Sequence, residues 1–153
     1  MENTRGIGND STKKGKRAEF LVFGELIKRG ADLYLPVIDK GIDAIILKQD
    51  GTYLQIQVKS TEASEQAGWF NVWDLELYKG KNLFIVCVEM SKEPPEIWVL
   101  PSEVFMEYAN ASKSKEGWNK YTLGMDSKDT KHGNELRRNL LKEYREAWGL
   151  LTG

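Results

Sequence analysis

The sequence is short of the residues that most disulfide and metal sites need. Its 153 residues include one cysteine, Cys87, and one histidine, His132. This excludes a disulfide framework, a zinc site built from cysteines, a cluster of histidine ligands, and any serine–histidine chemistry that does not use His132. The chemistry that remains available depends on carboxylates, amides and lysines.

Long apolar runs are also missing. No stretch approaches the roughly 18 apolar residues that span a bilayer, and residues 1–16 lack the apolar region of a signal peptide. We therefore expect no membrane association and an intracellular, cytoplasmic protein of the soluble prokaryotic type. The length favours a single domain.

Positive and negative charges balance overall but are unevenly distributed. Lysine and arginine contribute 22 residues and aspartate and glutamate 23, so the net charge is −1. Residues 1–30 and 113–145 are net basic, and residues 31–112 are net acidic. This pattern indicates either an ordinary solvated surface or a basic rim for a polyanion around acidic residues that bind a cation. The lysines that we expect to contact nucleic acid are Lys13, Lys14, Lys16, Lys113, Lys115 and Lys120.

Composition divides the chain into four segments. Residues 1–14 are polar and predict a flexible basic arm. Residues 15–109 contain most of the apolar periodicity and predict the core. Residues 110–132 are rich in Ser, Lys, Gly and Asp and predict a surface excursion. Residues 133–151 predict a C-terminal helix, because Leu136, Leu140, Tyr144 and Trp148 recur at intervals of four.

Apolar spacing predicts the elements of the core. Phe20, Phe23 and Ile27 recur at helical spacing, and Gly30 follows as a stop signal. The run Leu-Phe-Ile-Val-Cys-Val, from residue 83 to residue 88, predicts a strand buried on both faces. With shorter strands around it, the order predicts an α/β domain with a mixed sheet. The predicted strands cover residues 31–37, 41–47, 52–60, 82–90 and 96–100, and residues 69–77 are ambiguous.

Polar side chains interrupt two neighbouring predicted strands. Asp43 lies between apolar residues, where a carboxylate is costly unless something pairs with it. On the next strand, Gln55, Gln57 and Lys59 share one face, because alternate side chains of a strand point the same way. They are either the solvated side of an amphipathic strand or part of a site with Asp43.

The turn between these strands decides whether the site forms. A two-residue loop would place Asp43 on the face of Val58. A three-residue loop over residues 49–51, with Gly51 in the left-handed region, would place Asp43 opposite Gln57. We expect the three-residue loop, since glycine stands at the position that this turn requires.

Glu19 is a further acidic candidate on the predicted helix. It lies one turn before Phe23, on the margin of the apolar stripe. No capping box explains it, because Lys16 stands three residues earlier. Glu19 is therefore either a first-turn acid that the helix dipole favours or a side chain that faces Asp43.

These residues resemble the PD-(D/E)XK nuclease superfamily, in which a helix glutamate, a strand aspartate and an (E/D/Q)-X-K strand meet at one metal site. The matching residues are Glu19, Asp43 and the triplet Gln57-Val58-Lys59. The glutamine is similar to the variant found in Mrr-type restriction enzymes and in a small group I intron homing endonuclease. The resemblance implies a restriction-endonuclease-like αβββαβ core with a mixed sheet, to which the C-terminal helix is added.

The resemblance also implies a catalytic role for Glu19, Asp43, Gln57 and Lys59. A Mg²⁺ ion, for which Mn²⁺ can substitute, would be bound by Asp43, Glu19, the Gln57 amide and the Val58 carbonyl. This fits the preference of Mg²⁺ for oxygen ligands with one or two carboxylates. Glutamine removes one negative charge from the site, so metal binding should depend more on bound DNA. Lys59 would orient or help deprotonate the attacking water.

We therefore expect a Mg²⁺-dependent endonuclease of homing or restriction type that hydrolyses phosphodiester bonds in double-stranded DNA. The resemblance implies a homodimer or larger homo-oligomer, since a nuclease of this size needs a partner subunit to cut both strands. The alternatives are a Holliday-junction resolvase, a non-catalytic nucleic-acid-binding protein on the same fold, and an interaction module that uses the C-terminal helix. Three tryptophans are candidates for contacts to bases: Trp69, Trp73 and Trp118.

Overall fold

A long helix and a five-stranded sheet form the frame of the protein. The computed structural model describes residues 10–38, 40–62 and 68–153, and for residues 10–12 it describes the backbone alone. In chain order the first elements are α1 (Asp10–Lys28), β1 (Asp32–Tyr34), β2 (Ala44–Leu47), β3 (Tyr53–Thr61), β4 (Trp69–Trp73), β5 (Leu83–Glu89), β6 (Glu96–Pro101) and α2 (Ser102–Tyr108).

The main sheet is mixed, as the sequence predicts. Its strands lie in the order β1-β2-β3-β5-β6. The β3–β5 pair is parallel, and the other neighbouring pairs are antiparallel. The connection between β3 and β5 carries β4 and a 3₁₀ turn (Leu75–Tyr78), where the αβββαβ order has a helix. Residues 69–73 form a strand because exposed and buried side chains alternate along them.

A second sheet contradicts the expected surface excursion over residues 110–132. It is antiparallel, in the order β4-β8-β7. The polar composition hid the apolar positions of β8, of which Leu123 is fully buried. The remaining elements are β7 (Asn110–Lys113), β8 (Asn119–Gly124), β9 (Lys128–Asp129), β10 (Glu135–Leu136), α3 (Arg137–Leu140), a 3₁₀ turn (Lys142–Tyr144) and α4 (Gly149–Thr152).

The predicted C-terminal helix over residues 133–151 is wrong, because tertiary contacts divide it into short pieces. Arg145 forms an antiparallel bridge with Trp98 of β6. Arg138 pairs with Glu96 of β6 at 2.5 Å. Glu146 follows with a φ of +53°, which no helix accommodates. These contacts with β6 outweigh the helical spacing of the apolar side chains.

The predictions of a flexible basic arm and of the apolar stripe of the first helix are also partly wrong. Helix α1 begins at Asp10, so residues 10–14 are helical, and the rest of the predicted arm, residues 1–9, lies outside the described residues. Phe20 and Ile27 are exposed. The helix instead packs a different set of side chains on the sheet. The buried residues of α1 are Ala18, Val22, Phe23 and Leu26.

Apolar side chains cover both faces of the main sheet. On one face α1 packs against β2 and β3, with Ala44 and Ile56 fully buried. On the other face β5 and β6 pack against the second sheet and α2, with Ile85 and Phe105 fully buried. The strand β5 is buried on both sides, as its continuous apolar run predicts. Among the described residues, no helix combines the length and the apolar character needed to cross a membrane.

The hairpin between β2 and β3 has the predicted three-residue loop. Ile45 pairs with Gln55 and Leu47 with Tyr53. The Lys48 N–H donates to the Thr52 carbonyl at 2.8 Å, and Gly51 has a φ of +87°. The register that places Ala44 opposite Ile56 is therefore confirmed.

Glu89 ties the second sheet to the end of the main sheet. Its carboxylate is 1% exposed and accepts hydrogen bonds from Thr61 Oγ1 at 2.7 Å, from Ser91 Oγ at 2.6 Å and from the N–H groups of Ser91 and Gly68. Burial opposes ionisation, but the hydrogen bonds outweigh it and hold the pKa of Glu89 below its usual value. The ends of β3 and β5 and the start of β4 thus meet at one carboxylate.

We predict that Gly51→Ala destabilises the protein by about 1–2 kcal/mol, because an alanine in the left-handed region strains the turn. Gly24→Ala is the matched control. A Cβ atom there has no neighbour within 4 Å, and alanine in a helix interior stabilises by roughly 0.5–1 kcal/mol. Urea unfolding measures both changes. Equal effects of the two substitutions would show that Gly51 does not set the turn.

The lowered pKa of Glu89 predicts a pH-dependent loss of stability. A carboxylate with a depressed folded-state pKa contributes stability above its unfolded pKa, and this is lost as the pH falls through the folded pKa. In Glu89→Gln we expect a lower free energy of unfolding at pH 7, by about 1–3 kcal/mol, and a weaker decline between pH 5 and pH 3. Urea titrations at several pH values measure both. Parallel pH curves for the two proteins would exclude this role of Glu89.

Candidate active site

The Asp43 carboxylate lies at the edge of β3 where β2 stops pairing. Ala44 is the first residue of β2 and pairs with Ile56, whereas residues 57–61 pair with β5 on the other side. The Val58 N–H points to the edge that β2 has left, and it donates to Oδ2 of Asp43 at 2.6 Å. The carboxylate replaces a backbone acceptor, which a partly buried N–H requires.

A bulge at the start of β2 places Asp43 there. The Asp43 N–H donates to the Ile56 carbonyl at 2.9 Å, although Ile56 is the register partner of Ala44. Two consecutive residues thus face one residue of the opposite strand, which defines a β-bulge and re-aims the side chain. Gly41, just before it, has a φ of +91°, a left-handed conformation that favours glycine.

Glu19 and Asp43 line the same pocket between α1 and the connection from β1 to β2. The pocket has a volume of about 130 Å³. The Glu19 side chain is 16% exposed, and its Oε1 lies 3.4 Å from Nζ of the more exposed Lys16. Two carboxylates therefore share a small space with largely apolar walls. The other lining residues are Lys16, Phe20, Phe23, Leu35, Pro36 and Ile42.

Gln57 and Lys59 line a separate groove beside this pocket. The groove has a volume of about 240 Å³, and Gly41, two residues before Asp43, lies on its wall. A Cβ atom on Gly41 would lie 3.7 Å from the amide nitrogen of Gln57, so the backbone passes close to this side chain. The opposite wall comes from β4 and the following 3₁₀ turn, with Trp73, Asp74, Leu77 and Tyr78.

The four predicted catalytic residues are therefore divided between two adjacent spaces. The register is as predicted, but the expectation that Asp43 shares a face with Gln57 and Lys59 does not hold, because the bulge turns Asp43 into the pocket with Glu19. Sequence alternation assumes an unbroken strand and does not include such a bulge. The catalytic roles of all four residues, and the metal ligation by Gln57 and Val58, stay predictions.

The carboxylate pair is suited to a cation that keeps part of its water shell. Within residues 10–38, 40–62 and 68–153, no group of three or more His, Cys, Asp and Glu side chains forms a metal site. Mg²⁺ does not need one, since it retains several waters and is usually bound by one or two carboxylates with substrate phosphates. Glu19 and Asp43 fit this requirement.

Cys87 lies beside Lys59 on the neighbouring strand and is not available as a nucleophile. The two residues are register partners on β5 and β3, and the cysteine is fully buried. Burial raises the pKa of the Cys87 thiol far above its usual value, and the nearby Lys59 ammonium lowers it only slightly. The polar side chains that line the groove are those of Lys40, Gln57, Lys59, Asp74 and Tyr78.

The predicted nucleic-acid-binding lysines fall into two groups. One group lies on α1, where Lys16 lines the pocket of Glu19. The other lies on the second sheet, where Nζ of Lys120 is 5.6 Å from the centroid of the Trp73 ring. Lys120 is half-buried, and the exposed members are Lys13, Lys14, Lys16, Lys113 and Lys115.

The wall that β4 contributes to the groove was not predicted from the sequence. Asp74 ends this strand with a φ of +52°, and its Oδ1 accepts the Asn119 N–H at 2.9 Å. This bond joins the end of β4 to the start of β8 and fixes Trp73 beside the groove. The sequence signal for a half-buried strand here is the pair of apolar residues Phe70 and Val72 on either side of Asn71, which places both on one face.

Comparison with solved structures identifies the fold. The bacterial homing endonuclease I-Ssp6803I matches with a TM-score of 0.59 and 24% sequence identity, over 92% of this chain and 90% of that chain. The chain shares the fold of that structure, and the fold expected from the resemblance is confirmed. The Holliday junction resolvase Hjc of Archaeoglobus fulgidus matches with a TM-score of 0.48 and 17% identity, over 72% of this chain and 84% of that chain. This second similarity is too low to support a conclusion. No protein-family model and no curated protein sequence matches the chain.

We predict that Asp43→Ala exposes the Val58 amide to exchange. Loss of its acceptor should speed hydrogen exchange at Val58 by about tenfold, which corresponds to roughly 1.4 kcal/mol. The Lys59 amide points to β5 and is the internal control, and Asp43→Asn keeps an acceptor oxygen. Amide exchange followed by NMR resolves each position. Unchanged exchange at Val58 in Asp43→Ala would mean that another group accepts this hydrogen bond.

Proposed function

We propose that the protein is a Mg²⁺-dependent endonuclease that hydrolyses phosphodiester bonds in double-stranded DNA, in the manner of a homing or restriction enzyme. The observation that carries the proposal is the placement of Asp43. Its carboxylate is fixed at the Val58 N–H, faces Glu19 in one pocket and adjoins the groove of Lys59. The shared fold with a homing endonuclease supports the same conclusion.

The pocket residues would hold the metal ion. Glu19 and Asp43 supply the charged oxygens, and the Val58 carbonyl and the Gln57 amide are the neutral oxygens that we propose from β3. Mn²⁺ can replace Mg²⁺ at such a set of oxygens. When bound, the ion supplies positive charge for a non-bridging phosphate oxygen and lowers the pKa of a bound water. Asp43 is pre-oriented for this role, because its hydrogen bond with Val58 fixes one carboxylate oxygen.

Lys59 would act on the water and on the phosphate from the groove. Its ammonium is half-buried, so it interacts with developing negative charge more strongly than an exposed lysine does. In the reaction a water oxygen bonds to phosphorus, the bond from phosphorus to the leaving sugar oxygen breaks, and the water proton passes to solvent or to a neighbouring base. Lys59 would orient that water and stabilise the charge that accumulates on the phosphate.

The charge of the site predicts that metal and DNA bind cooperatively. Two carboxylates provide fewer negative charges than a site with a third acid at position 57, so the phosphate must complete the ligand set.

We also propose that two or more copies act together, since one such site cuts one strand.

A non-catalytic nucleic-acid-binding protein is the second candidate. The observation in its favour is the separation of Gln57 and Lys59 from the pocket of Glu19 and Asp43. Plasmid nicking separates the two candidates, because a binder retards DNA in a gel without cutting it in Mg²⁺ or Mn²⁺.

We predict that Lys59→Ala lowers the single-turnover rate of plasmid nicking by about 10²–10³, while gel-shift affinity at matched salt changes little. The reason is that the ammonium acts mainly on the transition state. Asp43→Ala is the companion variant and should abolish turnover while preserving or tightening DNA binding, because a negative charge is removed from the site. EDTA should abolish turnover of the wild type and weaken its DNA binding, since metal and DNA bind cooperatively. Undiminished nicking by Lys59→Ala would refute the catalytic role, and loss of affinity alone would make Lys59 a phosphate contact.

A further inference from the structure

The outer face of the second sheet carries tryptophans that the core does not require. Along β4, Phe70 and Val72 point into the core, whereas Trp69 and Trp73 point outward and are 40% and 41% exposed. Trp118, just before β8, is 59% exposed and meets Trp73 edge to face with ring centroids 6.4 Å apart. Large aromatic side chains grouped at the surface mark a binding site more often than a structural need.

The six-membered ring of Trp69 lies against a residue of the sheet that has no side chain. Gly124 is its register partner on β8, and a Cβ atom on Gly124 would lie 2.6 Å from the indole ring. No positive φ is recorded for Gly124, so the ring explains the glycine and the backbone conformation does not. The edge of the ring formed by Cε3 and Cζ3 thus fills the space beside Gly124, while Trp69 stays 40% exposed.

The rest of this face combines polar groups with a positive charge. Thr122 Oγ1 donates to Oδ1 of Asn71 at 2.7 Å, which fixes the amide with its nitrogen as a donor. Lys120 lies over Trp73, its register partner. The cross-strand positions of this face include one charged residue, Lys120, and no acid. They are Trp69, Asn71, Trp73, Asn110, Ser112, Lys120, Thr122 and Gly124.

The same face leads into the candidate site. Trp73 is part of the outer row of β4 and also lines the groove of Gln57 and Lys59. Trp69 and Trp73 are four residues apart, or about 13 Å along the strand. A chain laid over both rings would therefore enter the groove next to Lys59.

We propose that this face binds unpaired bases of DNA, with Trp69 as a stacking platform. An exposed indole binds a base through the face of its ring, and the faces of paired bases are covered by their neighbours in the duplex. An unpaired or extruded base has a free face that can stack on the ring. The choice of DNA as the nucleic acid rests on the proposed endonuclease function, and the substrate would then be a duplex with a single-stranded or distorted segment.

Binding of a labelled oligothymidylate of about 12 nucleotides, measured by fluorescence anisotropy in EDTA at low salt, tests this inference. Trp69→Leu keeps an apolar cover on Gly124 but removes the aromatic face, and we expect Kd to rise roughly 5- to 150-fold. Trp69→Phe should keep most of the affinity. Gly124→Ala, which displaces the indole, should weaken binding without removing the tryptophan. Tyr34→Ala, at an exposed aromatic residue on β1 of the other sheet, is the matched control and should leave Kd unchanged.

Four results would overturn the inference. They are absence of binding, equal Kd for Trp69→Leu and the wild type, tighter binding of a duplex of the same length, and a change of oligomeric state in Trp69→Leu without a change in Kd. The last result would make this face a contact between copies of the chain.

The test is independent of catalysis, because EDTA removes the divalent cations. If the protein binds the oligonucleotide through Trp69 but never nicks plasmid, the stacking role of Trp69 stands and the endonuclease proposal is wrong. If the wild type nicks plasmid and Trp69→Leu binds the oligonucleotide as tightly as the wild type, the stacking role of Trp69 is wrong and the endonuclease proposal stands.

Discussion

One hydrogen bond between a side chain and the backbone organises the candidate site. The β2–β3 hairpin stops pairing at Ala44 and Ile56, and β3 continues beside β5 without that partner. The next N–H on the abandoned edge, that of Val58, must find an acceptor, and Asp43 provides it. The pocket with Glu19 and the groove with Lys59 lie on either side of this contact, so the end of a strand pair determines where both can form.

The two spaces have different chemical characters that complement each other. The pocket concentrates negative charge between apolar walls, which suits a hard cation. The groove combines an ammonium, an amide and aromatic walls, which suits a phosphate and a base. In the proposed function the metal and the phosphate would meet beside Asp43, because Gly41 lines the groove and the next residue, Ile42, lines the pocket.

Local sequence patterns predicted the elements whose side chains repeat regularly over several residues. The three-residue loop followed from Gly51, and the buried strand β5 followed from its continuous apolar run. The bulge at Asp43 left no comparable signal, because it depends on where pairing stops and on the backbone path through Gly41. The C-terminal segment was mispredicted for another reason, since the contacts of Arg138 and Arg145 with β6 are distant in sequence. The wall formed by Trp73 depends on a second sheet that the polar composition of β7 and β8 concealed.

The pocket and the groove wall form at different stages of folding, because the contacts on which they depend span different lengths of sequence. The pocket depends on a hairpin, and hairpins close within about 1–10 μs. The wall of the groove depends on the bond between Asp74 and Asn119, which joins residues 45 positions apart, and closing a longer loop costs more entropy. Contacts between distant residues slow folding. During folding, the acidic pocket would thus form first and the aromatic wall would close beside it later, when β8 arrives to complete the second sheet.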